Sequence, residues 1–378
     1  MSTGFGHIIT YEVRIMSATV QELISNIRPL DREAMAKAKE WQDRLAIPPG
    51  SLGKLQDAAV RLSGITGKLK NEIKRCRIIV LAADNGIIEE GIGSAPRTVT
   101  AAQTANMTHY LTGMSSIAHY FGDEIRVVDM GVADPYDAPN VINRKIAPGT
   151  KNFVYEPAMT REQAEEAILT GEDMAKRAWE EHVSVIGVGE MGIGNTTTSS
   201  AVLCALTGLT VEQVTGRGGG ITDAAFVHKK EVILTGLEKH KPDPKDPVDV
   251  LAKVGGFDLA AMCGVFLGAA RYRLPVVIDG FISVVAALCA AKLCPDAAAY
   301  MFPSHASFEI GYARAADELG LQPWFLLNMR LGEGSGCPLA FRVLEAATAF
   351  TNNMATFDQA SIDDGYLEDI RGKDCFTV

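Results

Sequence analysis

A chain of 378 residues, 47% hydrophobic and 22% charged, is long enough for one large α/β core with a smaller unit beside it. Its net charge of −10 argues against nucleic acid or an anionic membrane surface as partner, while leaving room for a local basic pocket. Seven cysteines, an odd number without a C-x-x-C pair, point to a reducing compartment rather than a disulfide framework or a zinc site. No basic segment followed by an apolar core opens the chain, and the longest apolar run, 281–291, is too short to span a bilayer, so a cytoplasmic protein is expected.

In chain order, residues 1–10 read as a mobile lead-in, and 20–27 and 31–45 as amphipathic helices, the second with Asp31 as N-cap. Pro48-Pro49-Gly50-Ser51 ends this pair and a helix resumes over 52–62. The run 77–83 is apolar after its first residue, as in a parallel strand covered on both faces, and it ends in Asp84-Asn85-Gly86. Ligands bind at such carboxyl ends, so Asp84 is either a ribose or acceptor contact or an Asx-turn that closes the strand. A flexible loop, Gly91 to Pro96, leads to a helix bearing Gln103 and Asn106. Strands at 125–129 and 183–188 flank a long helix at 161–182, and a further strand covers 275–278. Alternating strands and helices of this length predict a parallel sheet with helices on both faces.

Three glycine-rich loops carry the chemistry. The strand at 183–188 runs into Gly189-Glu190-Met191-Gly192-Ile193-Gly194-Asn195-Thr196-Thr197, which opens a helix. It lacks the Gly-Lys-Ser/Thr of a phosphate-binding P-loop, and its G-x-x-G-x-G spacing is not the dinucleotide fingerprint. Gly216-Arg217-Gly218-Gly219-Gly220 precedes a helix with Lys229 and Lys230, which are either a solvated face or a source of one phosphate partner. The third loop, Arg330-Leu331-Gly332-Glu333-Gly334-Ser335-Gly336, follows Trp324–Leu327, which reads as a buried strand, and precedes Pro338, a good first helical residue. Such a junction normally presents amides to an anion, but Glu333 would repel a phosphate beside it. Glu333 is therefore expected to serve a protic or cationic group, with any phosphate a short distance away. His305 stands alone, with no second histidine at ligand spacing, and Gly334-Ser335-Gly336 is only a fragment of a nucleophile elbow.

With these motifs in order, together with Pro48-Pro49-Gly50-Ser51-Leu52-Gly53, Lys253-Val254-Gly255-Gly256-Phe257-Asp258 and Asp279-Gly280-Phe281, the chain resembles the nicotinate-nucleotide:dimethylbenzimidazole phosphoribosyltransferases of cobamide assembly from about Pro48 to Phe350. The resemblance implies a Rossmann-like parallel sheet in a large α/β domain, 46–337, and a small helical domain formed by both chain ends, 1–45 and 338–378. It also implies a homodimer, or a heterodimer with a homologous chain in phenol- or p-cresol-directed relatives. The implied reaction moves ribose 5-phosphate from nicotinate mononucleotide to an aromatic base, releasing nicotinate, with no cofactor and no metal.

By the same resemblance Glu333 is the general base and Glu190 a second carboxylate supporting the ribose and the transition state. Lys229, Ser307 and the backbone amides of Gly192 and Gly218 hold the nucleotide phosphate, with Asp279 beside the ribose. Ala95, Gln103, Met191 and Leu331 line the acceptor pocket. Many relatives carry His at the position of Asn85, and at least one carries Ser at that of Ala95, which implies tolerance among aromatic acceptors. Two rival readings stay open: a phenol-directed member working with a homologous partner chain, and a non-catalytic nucleotide-binding subunit, which would leave two carboxylates in glycine loops without a purpose. A dehydrogenase is a third reading, and it lacks a G-x-G-x-x-G after the early strand.

Overall fold

The structure, a computed structural model, describes residues 19–370 and residue 373, so the expected lead-in over 1–10 lies outside the described residues. Within them six parallel strands form one sheet: β1 (Cys76–Ala83), β2 (Glu124–Gly131), β3 (Ile142–Asn143), β4 (Val185–Met191), β5 (Val276–Ile278) and β6 (Met301–Pro303). Their spatial order is β3-β2-β1-β4-β5-β6, in which the winding reverses between β1 and β4. In sheets wound this way the crevice outside the carboxyl ends of those two strands is where ligands bind. Every residue of β1 and β4 is buried, because helices cover both faces of the sheet at its centre.

Helices begin where the sequence supplies caps. Asp31 accepts from the Ala34 amide at 2.9 Å and starts Arg32–Asp43, and Pro338 lies in the first turn of Cys337–Asn353. Phe257–Arg271 is buried almost throughout and packs along Arg161–Glu180; at their crossing a Cβ on Gly264 would lie 1.8 Å from the Ile168 carbonyl oxygen. Only glycine permits so close a backbone approach. The two chain ends meet: Trp41 Nε1 donates to the Thr351 carbonyl at 3.0 Å, and the Ala46 amide to that of Ala355 at 3.0 Å. The helix Cys337–Asn353 also lies on β4 and β5, where Cys337 packs against Gly187.

Two sequence expectations need correcting, and one strand was not foreseen. Trp324–Leu327 is not a buried strand: only Phe325 forms an isolated bridge, to His305, and Leu326 is 83% exposed. Asp84 does not close its own turn; its Oδ2 accepts from the Ala133 amide at 2.7 Å and ties β1 to the loop beyond β2. The two-residue strand β3 is too short to leave a periodic signal. No helix among the described residues is long and apolar enough to cross a membrane, and the six described cysteines are free and buried.

Candidate active site

The carboxyl ends of β1, β4, β5 and β6 converge on the two carboxylates singled out in the sequence. Glu190 is the penultimate residue of β4, and Glu333 lies in the loop that crosses over it. Three consecutive residues there, Gly332, Glu333 and Gly334, have φ of +85°, +64° and +93°. Glycine adopts that region freely, whereas for glutamate it costs on the order of 1 kcal/mol or more and persists only where surroundings enforce it. The enforcement is visible. The Glu333 amide donates to Glu190 Oε1 at 3.1 Å, and the Gly334 and Gly336 amides donate to the two oxygens of Asp279 at 3.0 and 2.6 Å. A Cβ on Gly189 would stand 2.3 Å from the Glu333 carbonyl oxygen, and one on Gly332 would stand 2.3 Å from Glu190 Oε1.

The Glu333 side chain is only 5% exposed, and its Oε2 accepts from the Met114 amide at 2.9 Å. Met114 is in the first turn of the helix Gly113–Phe121, so an unpaired amide and the positive end of a helix dipole orient this carboxylate. Leu331 Cδ2 lies over Gly113, against the same helix start.

Glu190 is enclosed by charge as well as by protein. Asn195 Nδ2 donates both to Glu190 Oε2 and, at 3.1 Å, to Asp258 Oδ2. Burial pushes the Glu190 carboxyl up to about 8, with the Asp258 and Asp279 charges adding to it against the Asn195 and Glu333 donors. Burial likewise raises Asp258 to about 6. Burial therefore favours the protonated form of Glu190 in the ligand-free chain, and a cation arriving beside it would favour release of that proton. Gly192 follows at the end of the strand, where a Cβ would meet the Ala83 carbonyl oxygen at 2.4 Å.

The residue after Asn195 opens the second half of the site. Thr196 Oγ1 accepts from Lys229 Nζ at 2.9 Å, and the Gly216 carbonyl accepts from the same ammonium at 3.1 Å. Lys229 is buried, and burial lowers its pKa to about 8 against the pull of Glu309. Gly218, at φ +57°, faces Thr196, and Ser94 from the first flexible loop abuts Gly219. Of the two lysines left open by the sequence, Lys229 enters this nest while Lys230 sits over the Phe226 ring at 4.5 Å.

The other expected residues are distributed around this core. Asp279 is fully occupied in holding the glutamate loop, and burial raises its pKa. His305 is buried with Nδ1 3.2 Å from Ser304 Oγ and 3.8 Å from Asp279 Oδ1. Ser307 is half-buried and its hydroxyl accepts from the Glu309 amide at 3.4 Å. Met191 is buried at the end of β4, Ala95 is half-buried, and Leu331 is 56% exposed. The Gln103 side chain bonds to Asn106 at 2.9 Å rather than to either carboxylate. Asn85 faces Asp258 and Gly256. Sequence reasoning carried Asn195, Thr196 and Asp258 within motifs but gave them no role of their own, and it missed Met114 and Glu309, which left no local signal.

A family model described as a phosphoribosyltransferase matches residues 27–362. The nicotinate-nucleotide–dimethylbenzimidazole phosphoribosyltransferase of Clostridium perfringens (strain ATCC 13124) is 52% identical over 359 residues, 95% of this chain and 99% of the relative. The chain belongs to the nicotinate-nucleotide–dimethylbenzimidazole phosphoribosyltransferase family. The like-named protein of Ruminiclostridium cellulolyticum is 48% identical over 345 residues, covering 91% of this chain and 98% of its own. Among solved structures, CobT from Thermus thermophilus superposes with a TM-score of 0.84 at 37% identity, covering 88% of this chain and 100% of that one. A member of this phosphoribosyltransferase family is an enzyme of the pentosyltransferase type, and the two glutamates with the buried lysine lie at the switch point of its sheet.

Proposed function

We propose that this chain transfers ribose 5-phosphate from nicotinate mononucleotide to an aromatic base of the 5,6-dimethylbenzimidazole type, giving an α-ribazole phosphate-type product and nicotinate for cobamide assembly. The observation that carries the reading is Glu333, a carboxylate held in a strained left-handed conformation with Oε2 bound to the Met114 amide. Its other oxygen makes no hydrogen bond with the described residues around it and remains to take the N–H proton of an acceptor. In the reaction the bond from the anomeric carbon to the pyridinium nitrogen breaks, and that electron pair leaves with nicotinate. The acceptor nitrogen forms the new bond as its proton passes to Glu333. A positioned base of this kind contributes roughly 10²–10⁴ in rate.

Glu190 answers the charge on the other side of the sugar. Its buried carboxyl becomes the counter-ion as positive charge develops on the ribose, and Asn195 keeps it aimed. The donor's phosphate goes to Lys229, Ser307 and the amides of Gly192 and Gly218, while Asp279 holds the loop at the ribose. Lys229 spends two of its three N–H donors on Thr196 and Gly216, which leaves one for the phosphate. Ala95, Gln103, Met191 and Leu331 border the acceptor. Of the described residues, the chain ends 19–45 and 338–370 act as a small helical unit beside the catalytic domain 46–337. Exposed Phe308, Ile310, Leu326 and Leu327 around the glutamate loop favour a homodimer that covers them. The setting we propose is the cytoplasm.

Incubation of the purified chain with nicotinate mononucleotide and a mixture of benzimidazoles, purines and phenols, read by mass spectrometry, tests this. A benzimidazole riboside phosphate is expected from the chain alone. Phenolic products only, or none until a second homologous chain is added, would reject it in favour of a heteromeric, phenol-directed enzyme.

A further inference from the structure

Glu333 depends on a contact between two distant pieces of chain. Its Oε2 accepts from the Met114 amide at 2.9 Å, so the start of the helix Gly113–Phe121 must keep its register with the loop that leads into the helix Cys337–Asn353. Asp279, just after β5, ties the Gly334 and Gly336 amides to the sheet and leaves the helix Gly113–Phe121 to be placed by other contacts. The far end of that helix is gripped by Arg342. The guanidinium lies over the Phe121 ring, 4.8 Å from its centroid, and Nη1 donates to the Phe121 carbonyl at the long distance of 3.5 Å. Nη2 donates at 2.8 Å to Oδ1 of Asp123, a buried residue just past the helix end. The same nitrogen reaches Glu345 Oε1 at 2.7 Å on its own helix. Among the described residues, these bonds of Arg342 and the Met114–Glu333 bond are the hydrogen bonds that join residues 113–123 to residues 333–353.

We propose that Arg342 is a positioning residue for Glu333: it clamps the carboxyl end of the helix Gly113–Phe121 and so keeps the Met114 amide on the carboxylate at the other end. The inference rests on the reading of Glu333 as the general base given above. A helix of nine residues is a stiff rod about 13 Å long, so a shift allowed at Phe121 is carried to Met114. A carboxylate at the amino end and a guanidinium at the carboxyl end each suit the helix dipole, and both come from residues 333–342. Arginine suits the task because its planar fork stacks on the ring while donating in two directions. With the clamp gone, the helix start drifts and Oε2 loses the amide that aims it. The free oxygen then moves off the acceptor N–H, and a misplacement of about 1 Å at a reacting group costs on the order of 100-fold in rate. Arg342 touches neither substrate in this arrangement; it acts only through the carboxylate that it helps to aim.

The test is a double-mutant cycle in the full chain: Arg342→Met, Glu333→Gln and the two together. Single-turnover formation of the riboside phosphate from nicotinate mononucleotide and 5,6-dimethylbenzimidazole is read beside calorimetric titration of nicotinate mononucleotide. Arg342→Met is expected to lower the rate roughly 10- to 100-fold while donor affinity stays within about threefold of the parent. In the Glu333→Gln background the same substitution should change the residual rate by less than about twofold, because the group it positions is already gone. A general structural loss would instead multiply into that residual rate. If Arg342→Met is unsettled by the unpaired charge of Asp123, Arg342→Met with Asp123→Asn removes both partners and carries the comparison. A parental rate in Arg342→Met, with turnover lost in Glu333→Gln, overturns the positioning role and leaves Glu333 standing as the base. An equal loss in both backgrounds, or a loss explained by weaker donor binding, overturns it as well. Parental turnover in Glu333→Gln overturns the reading of Glu333, and the positioning role with it.

Discussion

Glu333→Gln isolates proton removal from everything else the loop does. The substitution keeps the length and shape of the side chain, and the amide oxygen can still accept from the Met114 amide, 2.9 Å away in the parent. The Glu333 main-chain amide still donates to Glu190 Oε1, and Asp279 still holds Gly334 and Gly336, so the left-handed backbone persists. What disappears is an oxygen able to take a proton. Since Glu333 is 5% exposed, bulk water has little access to substitute for it. Loss of a general base is worth roughly 10²–10⁴ in turnover, which is about 2.7–5.5 kcal/mol of barrier. Nicotinate mononucleotide should bind within about threefold of the parent, because by this reading its phosphate is held across the site at Lys229. The assay is single-turnover formation of the riboside phosphate under saturating acceptor, beside calorimetric titration of the donor. Turnover within about threefold of the parent would refute the role of Glu333. So would a loss fully explained by weakened donor binding.

Lys229→Ala should act oppositely, weakening nicotinate mononucleotide roughly 10- to 150-fold, the equivalent of one charge-assisted hydrogen bond at about 1.5–3 kcal/mol, and unchanged affinity in a titration removes it from the phosphate site. Gly332→Ala must carry a side chain at φ +85° with its Cβ 2.3 Å from Glu190 Oε1. It should lose about 2 kcal/mol in urea unfolding and more than tenfold in kcat/KM; parental values would mean that the loop is looser than described. Glu190 gives a pH signature. Its folded pKa is raised to about 8 from 4.5, so between those values the folded state keeps a proton that the unfolded chain has released, and stability falls as pH rises through that window. In Glu190→Gln that fall should be shallower by about 1.4 kcal/mol per pH unit between about pH 5 and 7.5. The lost hydrogen bond lowers stability at every pH, so the slope decides, and an unaltered slope shows that Glu190 is ionised in the free enzyme.

Some of this was legible in the residues because a repeated local pattern is hard to explain by turn chemistry alone. A glutamate between glycines, twice, has no turn-forming purpose, and both loops reach the switch point of the sheet. Continuous apolar runs marked β1 and β4 correctly, but the same pattern at Trp324–Leu327 belongs to an exposed edge. A run of apolar side chains reports hydrophobicity, not whether this chain or another covers it. Groups that act across the chain left no trace. The Met114 amide that aims Glu333 comes from a helix start some two hundred residues earlier, and any sequence would supply an amide there. Glu309 looked like one polar residue in a loop until Gly216 stood beside it. The joint between the half-sites is the clearest case. Asn195 grips the carboxylate pair and Thr196 grips Lys229, so in the proposed function chemistry and phosphate binding meet at adjacent residues of one helix start. Displacing that helix start by an ångström would misplace the anomeric carbon relative to Glu190 and loosen the phosphate together. Substitutions at Asn195 and Thr196 should therefore couple non-additively, as neighbours sharing one network do, whereas Glu333 and Lys229, with no shared partner, should combine as independent sites.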